Sequence, residues 1–199
     1  MKLRIYLFFL VGALSFLSLS CSSDSSTGSV PISGESSSVE LAERIISLSP
    51  TATEILFAIE AGDQVVAVDD QSNFPAEAPM TSLSGFTPNI ESIAEYQPDL
   101  VVASYDPGDL VSGLEALDVT TVLQPAASSM EDTYSQINEL GVLTGRQSEA
   151  SELIERIKSD LDGIASKEVG EGLTYYHEID NNLYSPTSMT SLGKHYPRL

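Results

Sequence analysis

The residues best suited to chemistry in this sequence are few and widely spaced. The sequence has two histidines, His177 and His195, and one cysteine, Cys21. A catalytic zinc site needs three protein ligands, so these residues could hold zinc only together with carboxylates. The sequence contains no HExxH, GxSxG or phosphate-loop motif. A bare-metal site and catalysis therefore have little support, and no cofactor is predicted.

One nucleophilic arrangement stays open as an alternative. Ser49, the pair Asp69-Asp70 and His177 could form a hydrolase triad, although nothing in their spacing requires it. His177 stands in an apolar segment, where a structural role is the simpler interpretation. A hydrolase would turn over a generic ester, and Ser49→Ala would abolish that activity.

Other polar residues directly follow predicted strands. Arg44–Leu48 and Gln64–Val68 are short apolar runs that contain β-branched residues, as buried strands require. The helix between them makes a βαβ unit, which implies parallel strands. The loops Ser49–Thr51 and Asp69–Phe74 then open at the carboxyl edge of the sheet, where open α/β folds bind ligands.

The ends of the connecting helix are predicted from capping residues. Thr51 and Glu54 have the spacing of a capping box, which makes Thr51 the N-cap. Gly62 is predicted to end the helix.

Strands and helices continue to alternate along the chain, which predicts an α/β fold with a parallel sheet and helices on both faces. Further strands are predicted at Met80–Ser84, Asp99–Ala103 and Thr120–Leu123. Further helices are predicted at Asn89–Tyr96, Asp109–Leu117, Met130–Leu143 and Ser148–Ser166. A new strand is predicted at Gly172–Ile179, beyond the long helix.

The first 20 residues have the pattern of an export signal. Lys2 and Arg4 precede an apolar run, Ile5–Leu14, that is too short to be a good membrane span. Cys21 follows, as in the lipobox of bacterial lipoproteins, which predicts a lipid-anchored protein of the bacterial cell envelope. The alternative is an ordinary secretory signal and an unmodified thiol. Residues 21–43 are Ser-rich and are predicted to form a flexible tether.

The charge balance excludes some partners. The formal net charge is −20, and the only charged side chains of the export signal, Lys2 and Arg4, are basic, so the remainder of the chain is more acidic still. Nucleic acid and anionic lipid surfaces both require a basic face. The acidic surface otherwise indicates solubility.

Four stretches, in order, resemble the solute-binding proteins of ABC importers for cobalamin, ferric siderophores and haem. They are SLSPTATEILFAI, VVAVDDQSNFP, SGFTPNIESIAEYQPDLVVAS and the long helix. In that family two α/β lobes are joined by one rigid helix and hold the ligand between them. The resemblance implies a first lobe at 44–146, an interlobe helix at 147–168 and the start of a second lobe at 169–199. It also implies a truncated or frameshifted chain, since a whole second lobe would need about a hundred further residues.

The resemblance assigns ligand contacts by position. In the first lobe they fall on Pro50, Thr51, Gln71, Ser72, Asn73, Phe74, Gly85, Phe86, Ser104 and Tyr105, and in the second lobe on Glu178 and Tyr184. Aromatic walls suit large flat ligands and chelates, although Phe74 could instead fill the core of the lobe. Cobalamin-binding members tend to have aromatic residues at the positions of Gln71, Gly85 and Ser104. Their absence favours a ferric siderophore or haem.

The resemblance also implies partners. Glu91 corresponds to the acidic residue with which the family docks onto arginines of the membrane permease, and ATP is hydrolysed by separate ATPase subunits. Glu91 also has a simpler interpretation, because an acid in the first turn complements the helix dipole. The alternative function is that of an envelope lipoprotein in adhesion or scaffolding, with no transport role.

Overall fold

The computed structural model describes residues 41–166 together with residues 178, 181 and 182. The predictions for the export signal, Cys21, most of the tether, His177, Tyr184, His195 and the strand after the long helix fall outside the described residues.

A sheet of four parallel strands forms the centre of the described part of the chain. The strands are β1 (Ile45–Leu48), β2 (Val65–Val68), β3 (Leu100–Ala103) and β4 (Thr120–Leu123). Their order across the sheet is β2-β1-β3-β4, and β1 pairs with β3 in unbroken register from Ile45–Leu100 to Leu48–Ala103. The predicted parallel α/β sheet is confirmed.

Helices cover both faces of this sheet, as predicted. They are α1 (Pro50–Ala58), α2 (Ile90–Ala94), α3 (Leu110–Glu115), α4 (Met130–Thr144) and α5 (Gln147–Ala165). On one face Ile45 and Val102 pack in a cluster with residues of α1, α4 and α5. On the other face Ile46 and Val101 pack with residues of α2 and α3. Successive strand residues alternate between these two clusters because strand side chains point to opposite faces.

The prediction that Thr51 caps α1 is wrong. Ser49 is the N-cap, and its hydroxyl oxygen accepts a hydrogen bond of 3.3 Å from the backbone N–H of Ala52. Pro50 occupies the first helical position, where its fixed φ suits a helix and its missing N–H costs nothing. Thr51 is therefore already inside the helix.

The prediction that Gly62 ends α1 is also wrong, because the chain leaves the helix earlier. Glu60 has a left-handed backbone, with φ 62°. The N–H of Glu60 bonds to the carbonyl of Phe57, and the N–H of Ala61 bonds to the carbonyl of Leu56. This is a Schellman motif with glutamate in the position that glycine usually takes. Gly62 instead begins a 3₁₀ turn that leads into β2.

The end of α4, predicted at Leu143, lies one residue later, at Thr144. Gly145 has φ 73°, and the N–H of Arg146 donates to the carbonyl of Gly141 at 2.7 Å. The chain then turns into α5, whose apolar stripe starts with the buried residues Ala150 and Ile154.

The predicted strand Met80–Ser84 is reduced to one isolated bridge between Met80 and Val68. The segment still follows the outer edge of β2, because the N–H of Val68 donates to the Pro79 carbonyl and the N–H of Thr81 donates to the Val68 carbonyl. Two prolines lie before Met80 and limit the backbone donors available for a longer ladder.

A clamp at the amino edge of the sheet joins the start of β1 to the start of β3. The Asp99 carboxylate accepts the backbone N–H groups of Glu43 and Arg44 at 2.8 and 3.1 Å. The Arg44 guanidinium donates in return to the carbonyl oxygens of Tyr96 and Gln97. These bonds fix the two central strands at the edge away from the predicted site.

Candidate functional site

The loops that follow the four strands lie at the carboxyl edge of the sheet. The strand order reverses between β1 and β3, since β2 lies beside β1 on one side and β4 lies beside β3 on the other. Such a reversal is the usual ligand position in an open α/β sheet. Thr51 follows β1 and Ser104 follows β3, so two predicted contact residues lie at this reversal.

The loop after β1 is built on buried hydroxyl groups. The Thr53 hydroxyl donates to Ser47 Oγ at 2.8 Å, and the Ser47 hydroxyl donates to the Ser49 carbonyl at 3.0 Å. Ser49 is only 2% exposed and caps α1, which gives it a structural role. The geometry of the alternative hydrolase triad is not tested, because His177 lies outside the described residues. Pro50 and Thr51 are exposed at the end of this turn.

The loop after β2 buries one of its predicted contact residues. Asp69 is buried, and its Oδ1 accepts the backbone N–H of Ser72 at 3.0 Å. Ser72 is 1% exposed, and its hydroxyl has no partner within the described ranges. Gln71 and Asn73 are exposed.

Phe74 does not fill the core, which was the alternative prediction for this residue. Its side chain is 63% exposed, and the peptide bond to Pro75 is cis. An exposed phenylalanine on a loop is available to a ligand or to another protein surface.

Gly85 is required by a close approach of the backbone. A Cβ atom here would lie 2.6 Å from the carbonyl oxygen of Leu48 and 2.7 Å from Oδ2 of Asp69. The segment around Gly85 therefore packs directly on the carboxyl end of β1. This position has no room for the aromatic residue that cobalamin-binding members tend to have.

Phe86 and Tyr105 lie on two loops that are joined by a hydrogen bond. Phe86 is 67% exposed and Tyr105 is 42% exposed.

Asp106, the residue after Tyr105, accepts the backbone N–H groups of Gly108 and Leu110 at 2.8 and 3.1 Å. The Gly108 bond is the main reason that the pKa of Asp106 is lowered, and the carboxylate shapes the turn before α3.

Two concave surfaces adjoin these loops. The first, called the open groove, has a volume of about 820 Å³ and lies among α1, α4 and α5, with Thr51 and Phe74 in its wall. The second, called the side cavity, has a volume of about 320 Å³ and is lined by Thr51, Ser104 and residues after β4. Thr51 thus separates two recesses, and the loops after β1, β2 and β3 are brought together.

Gln124 was not predicted as a site residue. It is the first residue after β4, is 6% exposed and lines the side cavity. Its position after the fourth parallel strand was the available signal, since it corresponds to that of Ser104 after β3. The prediction omitted it because a single glutamine carries no charge or recognisable motif.

The loops after the four strands contain no lysine or arginine. Within the described ranges the cations lie elsewhere: Arg44 is in the amino-edge clamp, Arg146 and Lys158 pair with carboxylates, and Arg156 is exposed on α5. Among residues 41–166, 178, 181 and 182, no group of three or more His, Cys, Asp or Glu side chains could hold a metal ion.

Glu91 is exposed in the first turn of α2, which is capped by the Asn89 side chain bonded to the N–H of Ser92 at 2.9 Å. No described residue pairs with the Glu91 carboxylate.

Glu178, predicted as a contact of the second lobe, is exposed, and Tyr184 falls outside the described residues. No helix in the described part of the chain is both long and apolar enough to span a membrane.

Comparison with known proteins agrees with this architecture. The family model described as "Periplasmic binding protein" matches residues 45–189. The chain belongs to the periplasmic binding protein family. This confirms the family predicted from the four stretches, which is a family of solute-binding transport proteins.

Two relatives show how far the similarity to the periplasmic binding protein family extends. A protein of Bacillus subtilis (strain 168) named as an uncharacterized ABC transporter substrate-binding lipoprotein is 31% identical over 63% of this chain and 41% of its own length. A vitamin B12-binding protein of Vibrio parahaemolyticus is 28% identical over 79% of this chain and 58% of its own length. The chain therefore spans about half the length of the relatives that it matches.

A solved structure within this family gives a similar result. It is a possible iron-binding (periplasmic solute-binding) protein of Staphylococcus epidermidis, with a TM-score of 0.57 and 27% identity. The match covers 69% of this chain and 54% of the other.

Proposed function

We propose that this chain is the substrate-binding component of an ABC importer and captures a large metal chelate: a ferric siderophore, haem or a cobalamin. One observation carries the proposal. In a chain of this family, the loops after β1, β2 and β3 meet where the strand order reverses, and they present exposed aromatic rings beside small polar groups. Sites for large ligands combine apolar walls with a few oriented polar groups.

The chemistry of the loops favours an uncharged or cationic chelate. They contain Asp70 and Asp106 and no basic residue, so an anionic ligand would gain no compensating charge from this half of the site. The lack of space at Gly85 and the polar side chains of Gln71 and Ser104 favour a ferric siderophore or haem over a cobalamin, and the charge of the loops favours an uncharged or cationic siderophore over haem, whose propionates are anionic. The name of the Vibrio relative favours cobalamin, so all three ligands belong in the test.

The proposed mechanism has two steps. Ligand is held between the described lobe and second-lobe residues that include Glu178 and Tyr184, and α5 limits the relative movement of the lobes, so the site is largely preformed. The bound ligand then stabilises the arrangement that docks on the permease. ATP is hydrolysed by partner subunits.

Binding is tested directly with purified chain and three probes: ferrioxamine B, hemin and cyanocobalamin. The sequence has 8 tyrosines and no tryptophan, so quenching of tyrosine emission reports bound chelate, after correction for absorption by the chelate, and the part of the quenching that is lost in Tyr105→Phe reports ligand near Tyr105. Saturable binding of one probe supports the proposal. Failure of all three, in a chain shown by circular dichroism to be folded, contradicts it.

Glu91 is proposed as a docking contact for arginines of the permease. The experiment is Glu91→Arg, with Glu95→Arg as the matched control, because Glu95 is an exposed acid at the other end of the same short helix. Uptake into cells should fall at least about tenfold in Glu91→Arg, as expected when an attractive charge pair becomes repulsive. Binding of the chelate should be unchanged in both variants. Equal loss of uptake in both variants would mean that Glu91 contributes only to the general surface charge and makes no specific contact with the permease.

Cys21 is proposed to hold a lipid anchor in the cell envelope. The intact mass of protein purified from its own cells should show acyl groups on a chain that begins at Cys21. An unmodified thiol would indicate ordinary secretion instead. The alternative function is an envelope lipoprotein with no transport role. It would be favoured if none of the three chelates binds and if Glu91→Arg does not change uptake.

A further inference from the structure

The open groove extends well beyond the loops of the proposed ligand site. Its lining begins at Thr51, at the carboxyl edge of the sheet, and continues past Ala58 to Gly62. Gly62 begins the turn before β2 and therefore lies at the amino edge. The nine residues of α1 cover about 13 Å at 1.5 Å per residue. The groove thus runs along the whole of α1, and most of its length lies away from the ligand loops.

Apolar side chains of three helices line the groove. Ile137 of α4 is 1% exposed and forms the base, while Leu153 and Ile157 of α5 are only partly buried. On the α1 side, Phe57 is also partly buried and Ala58 is exposed. Leu153 and Ile157 are four residues apart, so they lie on one face of α5. An apolar stripe is thus left partly open to solvent between α1 and α5.

Carboxylates surround this apolar stripe, and none of the described residues that line the groove is basic. Glu54, Glu60 and Glu77 are exposed, and none of them forms an ion pair with a base in the described ranges. The fourth acid, Asp63, pairs with Arg146 at 3.6 Å. Protein interfaces combine an apolar centre with a polar rim, and the partner supplies charge of the opposite sign. The groove therefore suits a cationic partner.

The shape of the groove favours a segment of protein over a small molecule. Small-molecule sites enclose most of the surface of their ligand, whereas this groove is open to solvent along α1. Grooves between helices bind amphipathic helices, whose apolar side chains at i, i+3, i+4 and i+7 enter the groove. A length of about 13 Å accommodates roughly two turns of such a helix.

We propose that the open groove is a docking site for an amphipathic helix of a partner protein that carries lysine or arginine beside its apolar face. The apolar side chains of that helix pack between α1 and α5, and its cations pair with Glu54, Glu60 and Glu77. Glu91 lies on α2, which covers the other face of the sheet. The docking site is therefore separate from the proposed permease contact and does not depend on it.

The probe is a synthetic amphipathic helix of about 14 lysine, leucine and alanine residues, with the leucines on one face. One control peptide has glutamate in place of every lysine, and a second keeps the lysines but distributes the leucines around the helix. In ¹⁵N-labelled full chain at about 0.15 M salt, the probe should shift the backbone signals of Ala58 and Leu153 and leave those of Leu117, on the other face, unchanged. Both control peptides should bind at least about tenfold more weakly.

Two results with these peptides would overturn the docking site. Absence of probe binding would remove it directly. Equal binding of the probe and of the peptide with distributed leucines would mean that the chain attracts any cationic peptide through its general negative charge.

Ala58→Lys should weaken binding of the probe at least about tenfold, because it adds both bulk and positive charge to the groove. Ala58 is exposed on a helix, so the variant should fold, which circular dichroism checks. Ala116→Lys is the matched control, because Ala116 is exposed at the end of α3, on the other face of the sheet. Equal effects of the two variants would contradict the proposal.

The contribution of the carboxylates is tested by a double variant. Glu54→Gln with Glu77→Gln should weaken binding of the probe and reduce its dependence on salt, because two charges at the rim are lost. Glu95→Gln with Glu131→Gln removes the same charge at exposed positions outside the groove and should have little effect. The same loss in both double variants would again indicate general charge and overturn the site.

Other occupants of the groove give distinct results. Signals of Ala58 and Leu153 that shift with the concentration of the chain alone would indicate a second copy. Nuclear Overhauser contacts between these two residues and residues 167–199 would indicate that the chain fills its own groove. Equal loss of chelate and probe affinity in Ala58→Lys would make the groove part of the ligand site. Each of these results would overturn the docking site while the proposed importer function stands.

Discussion

The Tyr105 hydroxyl donates a hydrogen bond of 2.9 Å to the backbone carbonyl oxygen of Phe86. The bond joins the loop after β3 to the segment that packs on the end of β1, and it spans 19 residues of sequence. Two loops that carry exposed aromatic rings are thus fixed relative to each other before any ligand arrives. Such preorganisation lowers the entropy that binding would otherwise lose.

Tyr105→Phe should weaken ligand binding without loss of the aromatic wall. The variant keeps the ring and loses one hydrogen bond, which contributes about 1 kcal/mol, or about fivefold in affinity if the loops must reorder on binding. Titration with the chelate that binds the parent measures this change. Tyr96→Phe is the control, because the Tyr96 hydroxyl makes no hydrogen bond to a described residue. Unchanged affinity in Tyr105→Phe would mean that the two loops do not need this bond.

Gly85→Ala should destabilise the lobe. The added Cβ would meet the Leu48 carbonyl and the Asp69 carboxylate at less than 3 Å, and such overpacking costs about 1–3 kcal/mol. Urea unfolding measures the loss. Gly163→Ala is the control, since a Cβ at Gly163 meets nothing within 4 Å and alanine favours a helix. If both variants are as stable as the parent, the segment around Gly85 is free to move away from β1.

Glu60→Gly should stabilise the protein. Glu60 holds φ 62° at the end of α1, a conformation that costs a residue with a side chain about 1 kcal/mol and that glycine adopts freely. Removal of an acid from the negative end of the helix dipole acts in the same direction. Thermal unfolding should show a higher Tm. Glu95→Gly is the contrasting variant, because Glu95 has a right-handed backbone with φ −58°, and there glycine should lower the Tm.

Asp132→Asn should reduce stability at neutral pH and leave it unchanged in acid. The Ser128 hydroxyl and backbone N–H both donate to the Asp132 carboxylate, and these bonds lower its pKa below the usual 3.8. A lowered pKa stabilises the fold above the unfolded-state pKa, and this contribution is lost as the pH falls through the folded-state pKa. Thermal unfolding at pH 7 and near pH 3 should show the difference between variant and parent narrowing with acid. If the difference in stability between Asp132→Asn and the parent did not depend on pH, the effect would come from the shape of the side chain and not from its charge. Glu131→Gln, at the adjacent exposed position, is the control.

The sequence predicted the inner strands of the sheet well because they are buried on both faces, and a run such as Leu100–Ala103 is entirely apolar. The edge strand Thr120–Leu123 is only partly buried, but its β-branched residues still located it to the residue. The ends of α1 were less predictable. Thr51 and Ser49 are both capable N-caps, and the choice depends on Pro50 occupying the first helical turn. Nothing in the sequence around Glu60 indicates a left-handed backbone. The packing at the end of α1 imposes this conformation.

The candidate site could be predicted as a set of loops but not as a set of contacts. Parallel strands place Thr51 and Ser104 at one edge whatever their side chains are. Burial of Ser72 and exposure of Phe74 depend on how the loop after β2 folds over Asp69, which no local pattern encodes. Gln124 becomes noticeable only when the side cavity that it lines is known.

The clamp between Asp99 and Arg44 also has an evolutionary consequence. It joins β1 to β3 at the amino edge, so part of the strand alignment is set away from the loops of the proposed site. Among duplicated copies of such a gene, changes at the exposed residues 71, 73, 74 and 105 are therefore expected to alter ligand contacts while the scaffold is kept, whereas the buried Ser72 is expected to be retained. For the same reason, libraries randomised at these loops, with Gly85 retained, offer a direct route to engineered sensors for other chelates.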